Sequence, residues 1–302
     1  MKHFGIIVLF FCVQTAIAQD YIDLLKVTYG SILNSEFEDT SIDKDVDIFE
    51  LSATIPIPIT KKTAIITGID YNTDAVTLFP TGNEISLRTA VFKLGVSLTH
   101  SDRWSGVYIF QPKISSQELR TSSDATFYGG LAIVSYKVSD RLTWRFGALA
   151  SSEAFGTLFS PIAGLYYISK NKKWEVDAYL PGRAQVNYQF SPKTATGIFF
   201  QGQVRSFALD EVDNTPQIYA EASRVELGPY IEQTFFKNML RLRVQGGYST
   251  VSYEVFENND LLPFRLSAIE FGDDRNRLNP VDMQGALFVR VGAIFRLFLN
   301  DR

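Results

Sequence analysis

One short run of the sequence holds the residue types of a hydrolytic triad. His100, Ser101 and Asp102 follow one another directly, and histidine and carboxylate are the groups that activate a serine hydroxyl for nucleophilic attack. A triad needs side chains that converge from separate parts of a fold, which three adjacent residues cannot supply. The run also lies between two segments of alternating hydrophobicity. We therefore interpret it as a polar turn.

Other reactive patterns are equally weak. The charged run 273–277 (DDRNR) lacks the ligand spacing of a calcium loop, and the chain contains one cysteine, Cys12, and no phosphate-binding or cofactor motif. We expect no enzyme activity, no catalytic or metal-ligating residue and no cofactor. A hydrolase that works through carboxylates alone, such as Glu226 and Glu232, stays as an alternative.

The first residues predict a secretory leader. Lys2 and His3 are followed by an apolar core at 5–13 and a small-x-small site at 16–18, which is the layout of a signal peptide. We expect residues 1–18 to be removed and residues 19–302 to form a single domain. Cys12 lies in this leader, so the mature chain would contain no cysteine.

Composition narrows the class of protein. The net charge of -4 argues against nucleic acid as a partner, and no apolar run of the mature chain is long enough for a membrane helix. Yet 46% of the residues are hydrophobic and 14% are aromatic. An exported chain of this kind is either a soluble β protein or a β-barrel whose lipid-facing residues alternate with inward ones.

The alternation favours the barrel. From 286 to 299 one face is wholly apolar, while the other carries Arg290 and Arg296, as expected for side chains that alternate across a strand. Several such segments exceed 12 residues, longer than usual strands of soluble sheets. The predicted strands are 22–34, 44–59, 63–78, 84–99, 104–115, 125–138, 142–151, 160–169, 174–181, 183–190, 194–209, 216–236, 240–256 and 282–299.

The connections support this count of fourteen strands. Short polar turns at 60–63, 101–103, 139–141, 170–173, 191–193 and 237–238 alternate with longer connections at 35–43, 79–83, 116–124, 152–159, 210–215 and 257–281. This is typical of an outer-membrane barrel with short periplasmic turns, longer extracellular loops and both termini in the periplasm. The tight turn at 181–182 is the exception, and twelve strands result if 174–190 pairs differently. We expect the apolar loop 257–281 to pack on itself or to form a constriction in the mouth.

The inward faces carry many charges, with more basic than acidic residues. Such charges are tolerated where they face a wet or mutually paired interior. They could line a pore that favours anions, or pair with one another and fill the barrel. The lumen-facing candidates are Lys93, Arg145, Arg183, Arg205, Arg224, Glu226, Glu232, Arg241, Arg243, Arg290 and Arg296.

Two segments resemble a known family. The run 180–188 (LPGRAQVNY) with 191–194 (SPKT), and the run 219–228 (YAEASRVELG), are similar to an outer-membrane β-barrel family of unknown function that is common in Bacteroidota. The resemblance implies a barrel in a Gram-negative cell envelope and no assigned activity, so it carries over no catalytic residue.

These observations predict an all-β antiparallel transmembrane barrel in the bacterial outer membrane. The leading hypothesis is a narrow, porin-like channel or small-solute transporter with a basic-biased lumen. The alternative is a closed structural or partner-binding barrel. The expected partners are outer-membrane lipid, the barrel assembly machinery during biogenesis and small solutes, and the chain is expected to be a monomer.

Overall fold

The computed structural model describes residues 21–38, 40–209, 217–236, 238–279 and 282–298, and assigns only strands as regular structure in them. No helix in these ranges is long and apolar enough to cross a membrane. Two short strands, β14 (Leu262–Leu266) and β15 (Ile269–Phe271), form a hairpin within the longest loop. The other fourteen are β1 (Tyr21–Glu36), β2 (Asp43–Thr60), β3 (Thr63–Thr77), β4 (Glu84–Thr99), β5 (Trp104–Ser116), β6 (Thr126–Ser139), β7 (Leu142–Glu153), β8 (Gly156–Ile168), β9 (Trp174–Leu180), β10 (Arg183–Gln189), β11 (Thr194–Ala208), β12 (Ile218–Phe235), β13 (Leu240–Glu257) and β16 (Ala286–Phe298).

These fourteen strands close into an antiparallel barrel. Each pairs with its neighbours in chain order, β13 pairs with β16, and β16 pairs with β1 along twelve positions from Tyr21 to Leu33. The predicted count of fourteen is therefore confirmed, and the tight turn at 181–182 does join two separate strands, β9 and β10. We call the end with the short turns the turn end and the other the loop end.

The outer face of the barrel is apolar. On β4 the side chains of Phe92 and Leu94 are 48% and 60% exposed, and on β16 that of Leu287 is 66% exposed. Their neighbours on the opposite parity are largely buried, as period-two alternation requires. A belt of exposed apolar side chains around a closed barrel is the surface that hydrocarbon solvates.

Two prolines in β2 lie where the ladder needs no donor. Pro56 and Pro58 pair with β3, but the pairing of β2 with β1 ends at Ala53. Because proline has no N–H to donate, it is tolerated at strand positions that lack a partner on one side. Both prolines follow the last β1 contact, so they cost the barrel no hydrogen bond on that side.

The wall has a notch beside the shortest hairpin. Strands β9 and β10 have 7 residues each, whereas β8 has 13 and β11 has 15. The loop end of β8 therefore extends beyond β9, and there the hairpin β14–β15 pairs with it in parallel, with Leu262 opposite Gly156. The oxygens Ser160 Oγ and Ser267 Oγ, 2.8 Å apart, link the same two segments.

This hairpin corrects the expectation for loop 257–281. Farther along the loop, Asn279 donates to Tyr253 O at 2.6 Å and to Leu78 O at 3.4 Å, which connects β13 with the end of β3 at the mouth. The hairpin itself neither packs only on the loop nor constricts the mouth. Instead, it extends the barrel wall and covers the loop end of β12, where Leu262 packs with Tyr219. Tyr219 lies an even number of residues from Val225 and Leu227 and therefore projects from the same face of β12. Those two side chains are 42% and 56% exposed on the lipid-facing side. Because the loop covers this outer face, both faces of β12 are buried at its loop end.

The walls converge at the loop end. Ala208 of β11 pairs in parallel with Ser116 of β5, although these strands are six positions apart in the barrel. The backbone N of Gln117 donates to Ala208 O at 3.0 Å, and Ser115 Oγ donates to Ser206 O at 2.5 Å. The interior is therefore bridged from wall to wall at this height.

An apolar core fills the interior near this bridge. Its members come from β1 to β4 on one side and β11 to β16 on the other, and most are less than 6% exposed. A water-filled channel would leave such side chains accessible, so the loop half of the barrel is packed like the core of a soluble protein. The largest members that are less than 2% exposed are Ile32, Phe37, Ile48, Leu87, Phe207 and Phe288.

Candidate functional site

The central site is a cluster of two arginines and three carboxylates. Arg224 of β12 lies 2.8 Å from Glu50, 3.5 Å from Asp74 and 3.3 Å from Glu226. Arg290 of β16 pairs with Glu226 and lies 3.7 Å from Glu50. Because Glu50 and Asp74 come from β2 and β3, the cluster joins wall segments that are distant along the chain.

A glycine makes room for this cluster. Gly30 of β1 lies opposite Arg290 in the ladder, and a Cβ at Gly30 would lie 2.4 Å from Arg290 Cγ. Any larger residue would push the arginine side chain off its path. The pairing of glycine with a long inward side chain is a way for a barrel to hold bulky groups without widening.

A second cluster lies nearer the turn end. Glu232 accepts from Arg241 at 2.6 Å and from Arg243 at 2.7 Å. On the adjoining wall, Arg296 donates to Asp23 at 2.5 Å and lies 3.4 Å from the ring centre of Tyr21. Both sets combine ion pairs with aromatic contacts, which lowers the cost of holding guanidinium groups away from water.

A third cluster occupies β7, β9 and β10. Asp177 pairs with Arg145 and, at 3.2 Å, with Arg183. Both guanidinium groups also lie against the ring of Tyr179, whose centre is 4.3 Å from Arg145 and 4.7 Å from Arg183. One carboxylate and one ring thus hold two cations in place.

The remaining basic candidates are paired as well. Lys93 Nζ lies 2.7 Å from Asp70 and donates to Thr54 Oγ1 at 2.8 Å. Arg205 lies 3.9 Å from Glu50. Each basic candidate therefore has a carboxylate within 4 Å, and the basic excess predicted for the inward faces is largely neutralised inside the barrel. This arrangement corresponds to the second interpretation of the inward charges, an interior filled by paired groups.

Exposure divides the interior into two regions. Glu226, Glu232 and Arg290 are at most 1% exposed, whereas the side chains of Glu50 in the central cluster and of Arg205 beside it are 19% exposed. In contrast, the side chains of Lys26 and Arg183 are 42% and 48% exposed, although both project inward. These two cations mark a part of the interior that is more water-accessible than the central cluster.

Sequence reasoning missed several partners. Asp74 has the same parity as Asp70, and Lys113 lies on the inward face of β5, so alternation alone could have identified both. Glu153 was missed because the predicted strand ended at 151, whereas β7 continues to Glu153. Glu153 pairs with Lys113 and accepts from Ser206 Oγ at 2.8 Å, which fixes the bridge between the walls.

Another missed cluster fastens the long loop to the barrel. Glu221 of β12 pairs with Arg265 of β14, and at 2.9 Å with Arg275. Arg275 is also hydrogen-bonded to Asp273 at 2.8 Å, and this bond holds the pKa of Asp273 well below its usual range. Glu221 has lipid-facing parity, so no alternation rule could have placed it in an ion pair. We call Glu221, Arg265 and Arg275 the loop latch.

We expect Glu221→Gln to loosen the loop latch without unfolding the barrel. The change removes the carboxylate that the two arginines share, but Arg265 keeps Glu270 and Arg275 keeps Asp273 as carboxylate partners. The loss is therefore local and smaller than the several kcal/mol of a fully unpaired buried charge. Limited proteolysis within 258–279 should become at least ten times faster, while heat-modifiable migration of the barrel stays unchanged. Glu257→Gln, an exposed carboxylate at the end of β13, is the matched control. Equal cleavage rates in both variants would contradict the latch.

No curated protein matches the chain. Among solved structures, the Pseudomonas putida toluene transporter TodX is 10% identical with a TM-score of 0.31, covering 90% of this chain and 87% of that one. A bacterial polysaccharide outer membrane secretin is 11% identical with a TM-score of 0.33, at 91% and 99% coverage. Acinetobacter baumannii OccAB4 is 8% identical with a TM-score of 0.27, at 93% and 99% coverage. Similarity at this level carries no information about what this chain does.

A family model gives the firmer assignment. The model of a domain of unknown function, DUF6268, matches residues 12–264. The match spans the last seven residues of the predicted leader, thirteen strands of the barrel and the start of β14, including both segments on which the sequence resemblance rested. The chain therefore belongs to the DUF6268 family.

Proposed function

We propose that the chain is an integral outer-membrane β-barrel with both termini in the periplasm, exported through a cleaved leader at 1–18. The closed fourteen-strand ladder and the apolar outer belt support this placement, because a barrel satisfies every backbone hydrogen bond within hydrocarbon. The leader itself lies outside the described residues. In this placement the turn end is periplasmic and the loop end is extracellular.

We further propose a narrow channel or small-solute transporter that is closed at rest. The observation that carries this proposal is the wall-to-wall bridge between Ala208 and Ser116. The bridge is built from strands of the barrel and a few hydrogen bonds, so separation of the two strand ends, together with movement of the apolar core beside them, would open a path. The accessible cations Lys26 and Arg183 would then receive the solute from the periplasmic side.

Planar-bilayer recording of the refolded protein tests this function. We expect a membrane that is silent at low voltage, with brief openings of small conductance at high voltage, because the bridge must separate first. Heat-modifiable migration checks that the barrel is intact. Silence at every voltage from an intact barrel would contradict the channel.

The second candidate is a closed structural or partner-binding barrel without enzyme activity. It is favoured by the apolar core of the loop half and by the pairing of the inward charges. Cross-linking from the loop surface in intact cells, compared with a variant lacking 258–279, would identify a partner that depends on that segment.

A further inference from the structure

The turn end carries a ring of basic side chains. Eight lysines and arginines lie in five of its short turns, against two aspartates, Asp102 and Asp140. All eight basic residues are exposed. The set, which we call the basic rim, is Lys61, Lys62, Arg103, Arg141, Lys170, Lys172, Lys173 and Lys193.

The basic rim is electrostatically unsatisfied, unlike the interior. No side chain of the rim is ion-paired with a residue that the structure describes. Asp140 is instead paired with Lys137 at 2.7 Å, and the hydrogen bond from Lys137 lowers the pKa of Asp140. The rim thus presents net positive charge to whatever lies beside it.

Aromatic residues place this rim at a membrane interface. All three tryptophans of the chain, Trp104, Trp144 and Trp174, lie in the first residues after turn-end turns and are 41–49% exposed on the outer face. Trp104 packs against Tyr136, with ring centres 4.7 Å apart. Tryptophan and tyrosine prefer the headgroup level of a bilayer, so the rim lies in the plane of the lipid phosphates.

One turn offers a recess for a headgroup. A shallow cleft of about 460 Å³ is lined by Ser169, Lys170, Asn171 and Trp174. It combines a lysine ammonium with an indole, one for a phosphate and one for the glycerol region. Lys172 and Lys173 extend from the same turn.

We propose that the basic rim binds anionic phospholipids of the inner leaflet, with the turn 170–173 as its strongest position. The proposal rests on the membrane placement proposed above and adds the lipid class. A lipid fits better than a free anion because the rim is spread along the outer edge of the barrel at one height, where only a headgroup layer offers many phosphates. Attraction of basic residues to anionic leaflets is additive and falls with salt.

The tryptophans make this testable by fluorescence. Trp104→Phe with Trp144→Phe leaves Trp174 as the single probe beside the turn. We compare two bilayers of phosphatidylcholine and phosphatidylglycerol that differ only in which lipid is brominated. Fluorescence of the full chain should be quenched more strongly when phosphatidylglycerol carries the bromine than when phosphatidylcholine does. We expect a preference of roughly tenfold for the anionic lipid at low salt.

Two variants of the same turn provide the control. Lys170→Gln, Lys172→Gln and Lys173→Gln together should abolish the preference, whereas the three corresponding arginine substitutions should keep it. A preference for the anionic lipid in the glutamine variant equal to that of the unsubstituted turn would overturn the proposal. Loss of quenching on adding inorganic phosphate, but not chloride of equal ionic strength, would also overturn it in favour of a small-anion site.

The outcomes separate the lipid proposal from the membrane placement. Equal quenching by both brominated lipids would leave Trp174 in the bilayer and reject the lipid class alone. Absence of quenching by either lipid would place Trp174 outside the bilayer and reject the membrane placement on which the proposal rests.

Discussion

Ser116→Cys combined with Ala208→Cys is expected to form a disulfide across the inside of the barrel. The two residues are direct partners in a parallel bridge, and a disulfide requires Cα atoms within about 7 Å. In an open barrel they would be separated by six strand spacings of about 4.8 Å along the wall. Formation of this bond is therefore a direct measure of the closed interior.

The measurement is the fraction of free thiol in the folded protein after mild oxidation. We expect nearly complete loss of free thiol, because the mature chain offers no competing cysteine if Cys12 leaves with the leader. Ser116→Cys with Thr194→Cys is the matched control, since Thr194 lies at the opposite end of the same strand as Ala208. Free thiols in both pairs would show that the walls do not meet.

The same disulfide distinguishes the two proposed functions. If the bridge must separate for conduction, the oxidised variant should be silent at voltages that open the wild type, and reduction should restore openings. If the barrel is closed and structural, oxidation should leave an already silent membrane unchanged. Conduction that persists through the oxidised form would require a path that avoids the bridge.

Alternation in the sequence was sufficient to predict the barrel, but not to predict the contact between β5 and β11 that blocks its interior. The period of two gave the fourteen strands because lipid-facing and inward residues differ in polarity. Where the walls converge, β11 keeps the same alternation. Val204 and Ser206 lie on its outward face, but at this height that face contacts protein instead of lipid. A strand that bends inward leaves its sequence period intact, so the bend could not be predicted.

The candidate residues were predictable as a set but not as pairs. Parity placed Arg224 and Glu226 on one face of β12. The structure brings Arg224 to Glu50, 174 positions away along the chain, and Glu226 to Arg290. Such pairs depend on which walls face each other, which requires the closed barrel. The loop latch was harder still to predict from the sequence, because Glu221 lies on the face of β12 that alternation assigns to lipid.

Arg290→Met is expected to cause the largest loss of stability. Arg290 is 1% exposed and neutralises Glu226 and Glu50. Methionine keeps much of the volume but leaves the three carboxylates of the cluster with Arg224 and the more distant Arg205 as their only cationic partners among the described residues. Glu226 Oε2 already has no hydrogen-bond partner among those residues. Breaking a buried pair in this way costs about 3–5 kcal/mol of unfolding free energy. Urea unfolding of the barrel in liposomes, followed by tryptophan fluorescence, measures the loss.

Two companion variants make the result specific to the interior. Arg141→Met removes an exposed cation of the basic rim and should change the unfolding free energy by less than about 0.5 kcal/mol. Arg290→Met with Glu226→Leu removes both charges and should recover most of the loss, because an apolar pair of similar volume replaces the ion pair without an unpaired charge. A loss below about 1 kcal/mol for Arg290→Met alone would mean that water reaches the central cluster and screens it. The middle of the barrel would then be wet, and a continuous pore would describe it better than a closed interior.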